Sequence, residues 1–395
     1  MLRVLTLSTL FPDATRPNFG VFVARQVAAL SRRDGVAVRV VAPLGLPLWP
    51  LSRHPRYRGW DAVPRREVRD GVTVDRPRFR IVPGTGGRFH VAALTRALVP
   101  LLDSLRADFP FDVIDASFFF PDGPAAVALS RRYGVPVSIK ARGADIHHWG
   151  HAPATAAQVR AAGRAADGLL AVSAAMRDDM AAIGIPAERV RVHHTGVDLT
   201  RFAPAGDRDA LRASLGIAGP LVLSVGALIP RKGHDVAIAA LARLPGATLA
   251  IAGEGPEHAR LAARAAAAGV ADRVRLLGPV AHDDLSRWFA AADVMALASS
   301  SEGLANAWVE SLACGTPIVI TDVGGARDVV RDDAAGRIVA RDPAAVARAI
   351  SDLLTHPPAR DAVRAHALRF TWDANAAALH AHLAGLVHLH QAAGG

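Results

Sequence analysis

The 395-residue chain holds one cysteine, Cys314, which excludes an intramolecular disulfide framework and a cysteine-rich zinc site. It lacks any uninterrupted apolar run approaching the roughly 18 residues that argue for a membrane-spanning helix. Charged residues are scarce at 21% beside 51% hydrophobic residues, a balance that excludes a disordered chain. The apolar stretch Leu2–Leu10 is short and runs into Phe11-Pro12-Asp13, which offers no small-residue cleavage site. A first β-strand is therefore expected there instead of a signal peptide, and with it a cytoplasmic location. At about 100–200 residues per domain the length predicts two domains or three, and a chain of this size buries ample apolar surface without disulfide staples.

Lysine is nearly missing too: Lys140 and Lys232 stand against 44 arginines. The net charge of +10 is unevenly spread. Residues 1–110 hold 18 arginines against 8 acidic residues, while the remainder is balanced at 28 of each. The densest stretch contains Arg53, Arg56, Arg58, Arg65, Arg66, Arg69, Arg76, Arg78, Arg80 and Arg88, with Trp49, Tyr57 and Trp60 among or beside them. Three readings fit. One is a solvated basic face in an arginine-biased sequence. Another is a surface resting on anionic lipid headgroups, where basic residues are attracted and aromatic rings suit the interface. The third is nucleic acid, and no recognised nucleic-acid motif accompanies the charge.

Short apolar segments alternate with alanine-rich helical ones. Six strands are expected in the first half: Arg3–Ser8, Ala37–Ala42, Asp112–Ala116, Val137–Ala141, Gly168–Val172 and Arg191–His194. Six more are expected in the second: Leu221–Val225, Thr248–Ala252, Val274–Leu277, Val294–Leu297, Pro317–Thr321 and Arg337–Val339. Continuous apolarity suits strands buried on both faces, and strand–helix alternation predicts α/β domains with doubly wound parallel sheets. Residues 1–200 and 220–372 are expected as the two domains. The glycine- and proline-bearing stretch 201–219 is read as the linker, and a terminal helix over about 373–390 is expected to pack back on the first domain.

The segment Ser299-Ser300-Ser301-Glu302-Gly303-Leu304-Ala305-Asn306-Ala307-Trp308-Val309-Glu310, continuing to Ala313-Cys314-Gly315-Thr316-Pro317, follows a strand and opens a helix. A helix start presents unpaired N–H groups and a positive dipole end, a ready seat for phosphate. Glu302 falls in the loop, and Glu310 lies about two turns further on, inside the helix. Two acids so placed suit opposite ends of a polyhydroxylated ligand. In this context the segment resembles the Glu-x-seven-Glu signature of glycosyltransferase family 4, the retaining enzymes of GT-B fold. Ser224-Val225-Gly226-Ala227-Leu228-Ile229-Pro230-Arg231-Lys232-Gly233, Ile251-Ala252-Gly253-Glu254-Gly255-Pro256, Val323-Gly324-Gly325 and the His194–Phe202 stretch resemble other family segments in the right order. Gly20 stands where the family has its glycine-rich acceptor loop. The opening Leu5–Pro12 resembles members that build extracellular polysaccharides.

The resemblance implies two Rossmann-like domains facing a cleft, a nucleoside diphosphate sugar donor on the second, and a glycan or polyprenyl-linked acceptor on the first. It implies that Glu310 holds the ribose diol, that Glu302 with Gly303 and Leu304 faces the donor sugar or phosphate, and that Arg231, Lys232 and the Gly226 turn hold the diphosphate. Fixed cations there stabilise the departing diphosphate, so neither metal nor other cofactor is expected, and no convincing Asp-x-Asp metal motif is found. Domain closure would exclude water. Front-face attack with retained configuration is implied, since no covalent nucleophile is evident. The sequence departs from the family at two places. Ala227 stands where an arginine is usual, with Arg231 the candidate replacement. Arg142, in Arg142-Gly143-Ala144-Asp145, stands where many members have histidine. Arg142 and Asp145 are expected to face the cleft; the alternative for Asp145 is a turn cap.

Other features read as ordinary structure. Gly253-Glu254-Gly255 lacks the complete dinucleotide fingerprint. Cys314 reads as a buried small residue. His147, His148 and His151 read as loop histidines without a second cluster to complete a metal site. Phe118-Phe119-Phe120 suits an acceptor cleft or the first core equally. The sequence thus predicts a metal-independent glycosyltransferase of cell-surface polysaccharide synthesis, peripheral at the inner face of an anionic membrane and without a nucleic-acid partner. A sugar-nucleotide epimerase of the same fold and a non-catalytic partner subunit are the alternatives.

Overall fold

The computed structural model describes residues 1–57 and 59–394. Arg58, counted above among the basic residues, lies outside them. The chain divides into two compact units, one of Met1–Gly196 with Trp372–Gly395 and one of Val197–Thr371.

Among the described residues the first unit carries β1 (Leu2–Leu7), β2 (Val36–Val41), β3 (Leu44–Pro47), β4 (Arg66–Arg69), β5 (Val72–Asp75), β6 (Arg78–Ile81), β7 (Val113–Ala116), β8 (Val137–Ala141), β9 (Gly168–Ala171) and β10 (Val190–Val192). Its main sheet runs β10-β9-β8-β7-β1-β2-β5-β4, and β3 pairs with β6 as a separate ribbon. β4 runs antiparallel to β5, while the other pairings are parallel. β7, β8 and β9 are buried along their whole length, as uninterrupted apolar strands covered on both faces should be. Leu379 and Leu383 of the last helix, Trp372–Gly394, share a core with Val4, Leu30, Val113 and Leu170.

Six of these strands lie where the sequence places them. β3 to β6 do not appear in that reading: all four are only four residues long, and arginines disguise β4 and β6. Arg-Phe-Arg-Ile in β6 alternates charged and apolar residues, as a strand with one wet face does, and the mostly charged Arg-Glu-Val-Arg of β4 forms the edge of the main sheet. Several arginines of this stretch are therefore scaffolding. Arg76 is fully buried, bonded to the Pro12 carbonyl at 2.7 Å and paired with Glu67. Arg39 and Arg66 clasp Asp75 at 2.8 and 2.7 Å. Arg78 donates to the carbonyls of Arg76, Trp60 and Val63. Arg53, Arg65, Arg80 and Arg88 remain exposed.

The second unit carries β11 (Leu221–Val225), β12 (Thr248–Ala252), β13 (Val274–Gly278), β14 (Val294–Leu297), β15 (Ile318–Thr321) and β16 (Gly336–Val339). They form one parallel sheet ordered β13-β12-β11-β14-β15-β16. The chain thus winds outward from β11 in one direction, then returns beside it as β14 and winds the other way. In such sheets ligands bind beyond the carboxyl ends of the strands at the reversal. Residues 201–219 lie within this unit instead of bridging to it. Arg208–Ser214 forms a helix whose Asp207 cap accepts the Ala210 N–H at 2.8 Å. The punctuating residues around it mark the helix ends. Among the described residues, no helix is long and apolar enough to cross a membrane.

Candidate active site

The reversal between β11 and β14 gathers the motifs of the second unit. β11 leads into Gly226, and the following loop closes in a short turn, Pro230–Lys232. β14 ends before Ala298 and leads through Ser299–Ala305 into the helix Asn306–Ala313. The two loops are stitched by the Ser300 N–H donating to the Arg231 carbonyl at 2.8 Å. Gly233 makes this approach possible. Its φ is 69°, and a Cβ there would lie 2.0 Å from the Ala298 carbonyl oxygen.

Lys232 and Glu302 meet in this corner. The Lys232 Nζ donates to Glu302 Oε1 at 2.6 Å, and the Ser299 hydroxyl donates to the same oxygen at 2.7 Å. Arg231 Nη1 lies 3.5 Å from the other oxygen, Oε2, and also donates to the Ser301 carbonyl at 2.5 Å. Glu302 is buried, whereas Arg231 is the more open of the two cations. The Gly303 carbonyl accepts the Gly325 N–H at 2.7 Å, so the Val323-Gly324-Gly325 turn after β15 props the loop from behind. Leu304 is buried beside it. No side chain caps the helix that follows, which leaves its first-turn donors without a side-chain acceptor.

Glu310 lies one turn into that helix, which begins at Asn306 after the loop 299–305. Its Oε1 faces His282 Nε2 at 2.7 Å. The His282 ring stacks edge-on to Phe202 at 5.1 Å. His282 has no counterpart in the sequence reading: it opens the helix His282–Ala291, and only the sheet order carries it to Glu310. Cys314, at the end of the Glu310 helix, is buried, and burial with the nearby Glu310 charge pushes its thiol up to about 12. It is inert packing.

In the first unit Gly20, with φ 69°, begins the helix Val21–Ser31, and a Cβ there would lie 2.5 Å from the Leu10 carbonyl oxygen. Asp145 takes the turn-capping role, the alternative to facing the cleft, and is fully buried. Its Oδ1 accepts the Gly143 N–H at 2.7 Å and the Arg142 N–H at 3.0 Å, and its Oδ2 accepts the Phe119 N–H at 2.9 Å. Its acceptors are spent on the backbone.

Arg142 is half-buried above the Phe22 ring at 5.0 Å and donates from Nε to the Ser117 carbonyl at 2.5 Å. Burial lowers its guanidinium to about 10, which leaves it cationic at neutral pH. Its Nη2 reaches Gln26 Oε1 at 3.2 Å, an oxygen that Lys140 Nζ shares at 3.2 Å. Lys140 also lies 2.8 Å from His193 Nδ1, and His193 Nε2 lies 2.9 Å from the Asn375 carbonyl. That carbonyl only accepts, so Nε2 carries the proton and Nδ1 accepts from Lys140. Phe119 and Phe120 are core residues, with Phe120 packed on Trp149 at 5.0 Å. His147 pairs with Asp179 at 2.8 Å. Among the described residues, no group of three His, Cys, Asp or Glu is gathered to hold a metal ion.

Asp122, unread in the sequence, is also fully buried, with Oδ2 accepting the Thr9 N–H at 2.7 Å. Burial raises its carboxyl to about 8. The folded protein therefore keeps a proton that the unfolded chain releases above about pH 4. The stabilisation is complete below that pH and is lost as pH rises through about 8. Asp122→Asn is expected to flatten the decline of stability across this window and to exceed the parent above it. Denaturant unfolding at a series of pH values measures this, and parallel pH profiles would contradict it.

Residues 207–369 match the Glycosyl transferases group 1 family, and residues 20–201 match Glycosyltransferase Family 4. Over 409 aligned positions the chain is 30% identical to D-inositol 3-phosphate glycosyltransferase 1 of Catenulispora acidiphila, covering 94% of this chain and 93% of that protein. The chain belongs to glycosyltransferase family 4. This glycosyltransferase is also 35% identical to the D-inositol 3-phosphate glycosyltransferase of Acidothermus cellulolyticus over 348 positions, 79% of this chain and 76% of that one. Its two Rossmann-like sheets are those of the GT-B fold. Sucrose-phosphate synthase from Thermosynechococcus elongatus superposes with a TM-score of 0.80 at 19% identity, covering 98% of this chain and all (100%) of that one. Anabaena HepE, solved in complex with UDP, superposes with a TM-score of 0.75 at 20% identity, covering 97% and 100%.

Proposed function

We propose that this glycosyltransferase takes a nucleoside diphosphate sugar as donor, seats it on the second unit at the β11/β14 reversal, and transfers the sugar with retained configuration. The Lys232–Glu302 pair at this reversal, beside an uncapped helix start and with Glu310 one turn along that helix, carries the reading. Lys232 and Arg231 would neutralise the diphosphate as it departs. The helix dipole adds to that field where negative charge grows, so the help is greatest in the transition state. Glu302 would accept hydroxyls of the donor sugar and Glu310 those of the ribose. A HepE structure is described as a complex with UDP-glucose, in keeping with such a donor. With fixed cations in this place the reaction proceeds without a metal, and turnover should survive a chelator.

The acceptor would meet the first unit, where Gly20 and Arg142 lie. That unit holds the excess positive charge, which suits an acceptor bearing phosphate. A lipid-linked glycan of cell-surface polysaccharide synthesis fits this chemistry. The names of the relatives favour a second reading, an inositol phosphate. The family assignment decides for transfer over epimerisation. An intact Lys232, Glu302 and Glu310 speak for a working enzyme over a silent subunit.

Thermal unfolding in the presence of a panel of nucleoside diphosphate sugars tests the donor. A ligand at 100 times its Kd stabilises the fold by about 2.7 kcal/mol, a rise of several degrees for a unit of this size. One or two donors should give that rise. No shift with any of them would contradict the reading. Transfer to polyprenyl-phosphate glycans and to inositol phosphate then separates the acceptors.

A further inference from the structure

Exposed apolar side chains are not scattered evenly. Among the described residues, seven of the ten large exposed hydrophobics lie between Phe19 and Phe89, within the stretch that carries the arginine excess. Three are nearly consecutive: Leu48 is 58%, Trp49 72% and Leu51 52% exposed. They occupy one tight turn, in which the Ser52 N–H returns to the Leu48 carbonyl at 3.2 Å and the Arg53 N–H to the Pro50 carbonyl at 3.0 Å. A core has no use for this turn, since its neighbours Arg53 and His54 are exposed as well.

The β3–β6 ribbon adds to the same surface. Its parallel register pairs Pro47 with Ile81, so the next residues, Leu48 and Val82, leave the ribbon at the same end, and both are exposed. Arg80, one position before Ile81, is exposed, and so are Arg88 and Phe89 on the return from this ribbon to the helix His90–Asp108. The arginines used as scaffolding, Arg76 and Arg78, are turned to carbonyls and Glu67. Among the described residues, Arg53, two positions after Leu51, and Arg80 and Arg88, on either side of Val82 in the sequence, are left to solvent.

We infer that this tip, Leu48–Leu51 with Val82, docks on an anionic phospholipid bilayer. A solvent-exposed tryptophan and two leucines on a narrow turn can enter the headgroup boundary of a fluid bilayer, where an amphipathic indole is favoured. A flanking set of arginines meets the lipid phosphates, and the attraction falls off within a Debye length. The excess charge of the whole first 110 residues has the same sign, which supplies the long-range attraction that brings the tip to such a surface. Docking of this kind places the enzyme where a lipid-linked acceptor resides. The donor residues belong to the other unit, so donor binding and bilayer binding fail separately.

Co-sedimentation with phosphatidylcholine vesicles, with and without phosphatidylglycerol, tests the inference on the full chain. The parent should pellet with phosphatidylglycerol vesicles at low salt, release at high salt, and stay in solution with phosphatidylcholine alone. Trp49→Ser combined with Leu51→Ser should weaken partitioning about tenfold or more, as loss of buried apolar area demands. Arg53→Gln combined with Arg80→Gln should weaken it and reduce the salt dependence. Both variants should keep the parent's thermal response to the donor, which shows that they fold. Failure of the parent to pellet would overturn the inference. So would equal partitioning of the serine variant, which would mark the surface as a charge-only patch, and so would retention on duplex DNA without vesicle binding.

Discussion

Lys232→Met is expected to lower kcat/KM for sugar transfer about 10²–10³-fold, the scale seen when one preorganised donor to developing negative charge is removed. Methionine keeps the apolar stem and deletes only the charge. Glu302 retains the Ser299 hydroxyl at 2.7 Å and Arg231 at 3.5 Å, so the loop keeps most of its support. The loss should fall mainly on kcat, because the diphosphate gains charge on leaving and the lysine matters most then. Arg231→Met should cost less, since that side chain is the more open one and a cation in water is screened. A single-turnover rate on saturating donor measures the effect. A change of less than threefold for Lys232→Met would remove the lysine from the reaction.

Glu310→Ala is expected to weaken donor binding by about 10–100-fold, since hydrogen bonds to a charged group contribute about 1.5–3 kcal/mol. The Oε1 atom is engaged by His282 Nε2 at 2.7 Å, which leaves Oε2 and its lone pairs for the ribose hydroxyls. The ribose does not react, so this contact is equal in ground and transition states, and the loss belongs in KM with kcat little changed. His282→Ala separates contact from orientation. It frees the carboxylate to turn, and it should raise KM by less than Glu310→Ala does. Equal KM values for parent and Glu310→Ala would place the nucleoside elsewhere.

The second sheet was nearly transparent in the sequence. β11, β12 and β14 lie at the expected residues because each is a continuous apolar run between glycine or polar breaks. The first sheet was legible in its centre and opaque at its margin, where β4 is mostly charged, and the separate β3–β6 ribbon was hidden too, since β6 alternates arginine with apolar residues. The same arginines hid their division of labour, since Arg76 and Arg80 look alike until one is found buried and the other in water. Lys232 and Glu302 were readable from local motifs, although 70 residues separate them. His282, Gln26 and Asp122 were not, because each is placed by pairing across the fold and none sits in a pattern of its own. Asp145 turned on backbone geometry: three N–H groups converge on its carboxylate, and no spacing of side chains announces that.

The central claim is that one ligand is held at its diphosphate by Lys232 and at its ribose by Glu310. Calorimetric titration of the parent, Lys232→Met and Glu310→Ala with the nucleoside diphosphate and with the bare nucleoside tests it most directly. Lys232→Met should bind the diphosphate weakly and the nucleoside as the parent does, whereas Glu310→Ala should bind both weakly. Parent-like affinity of both variants for the diphosphate would contradict the account.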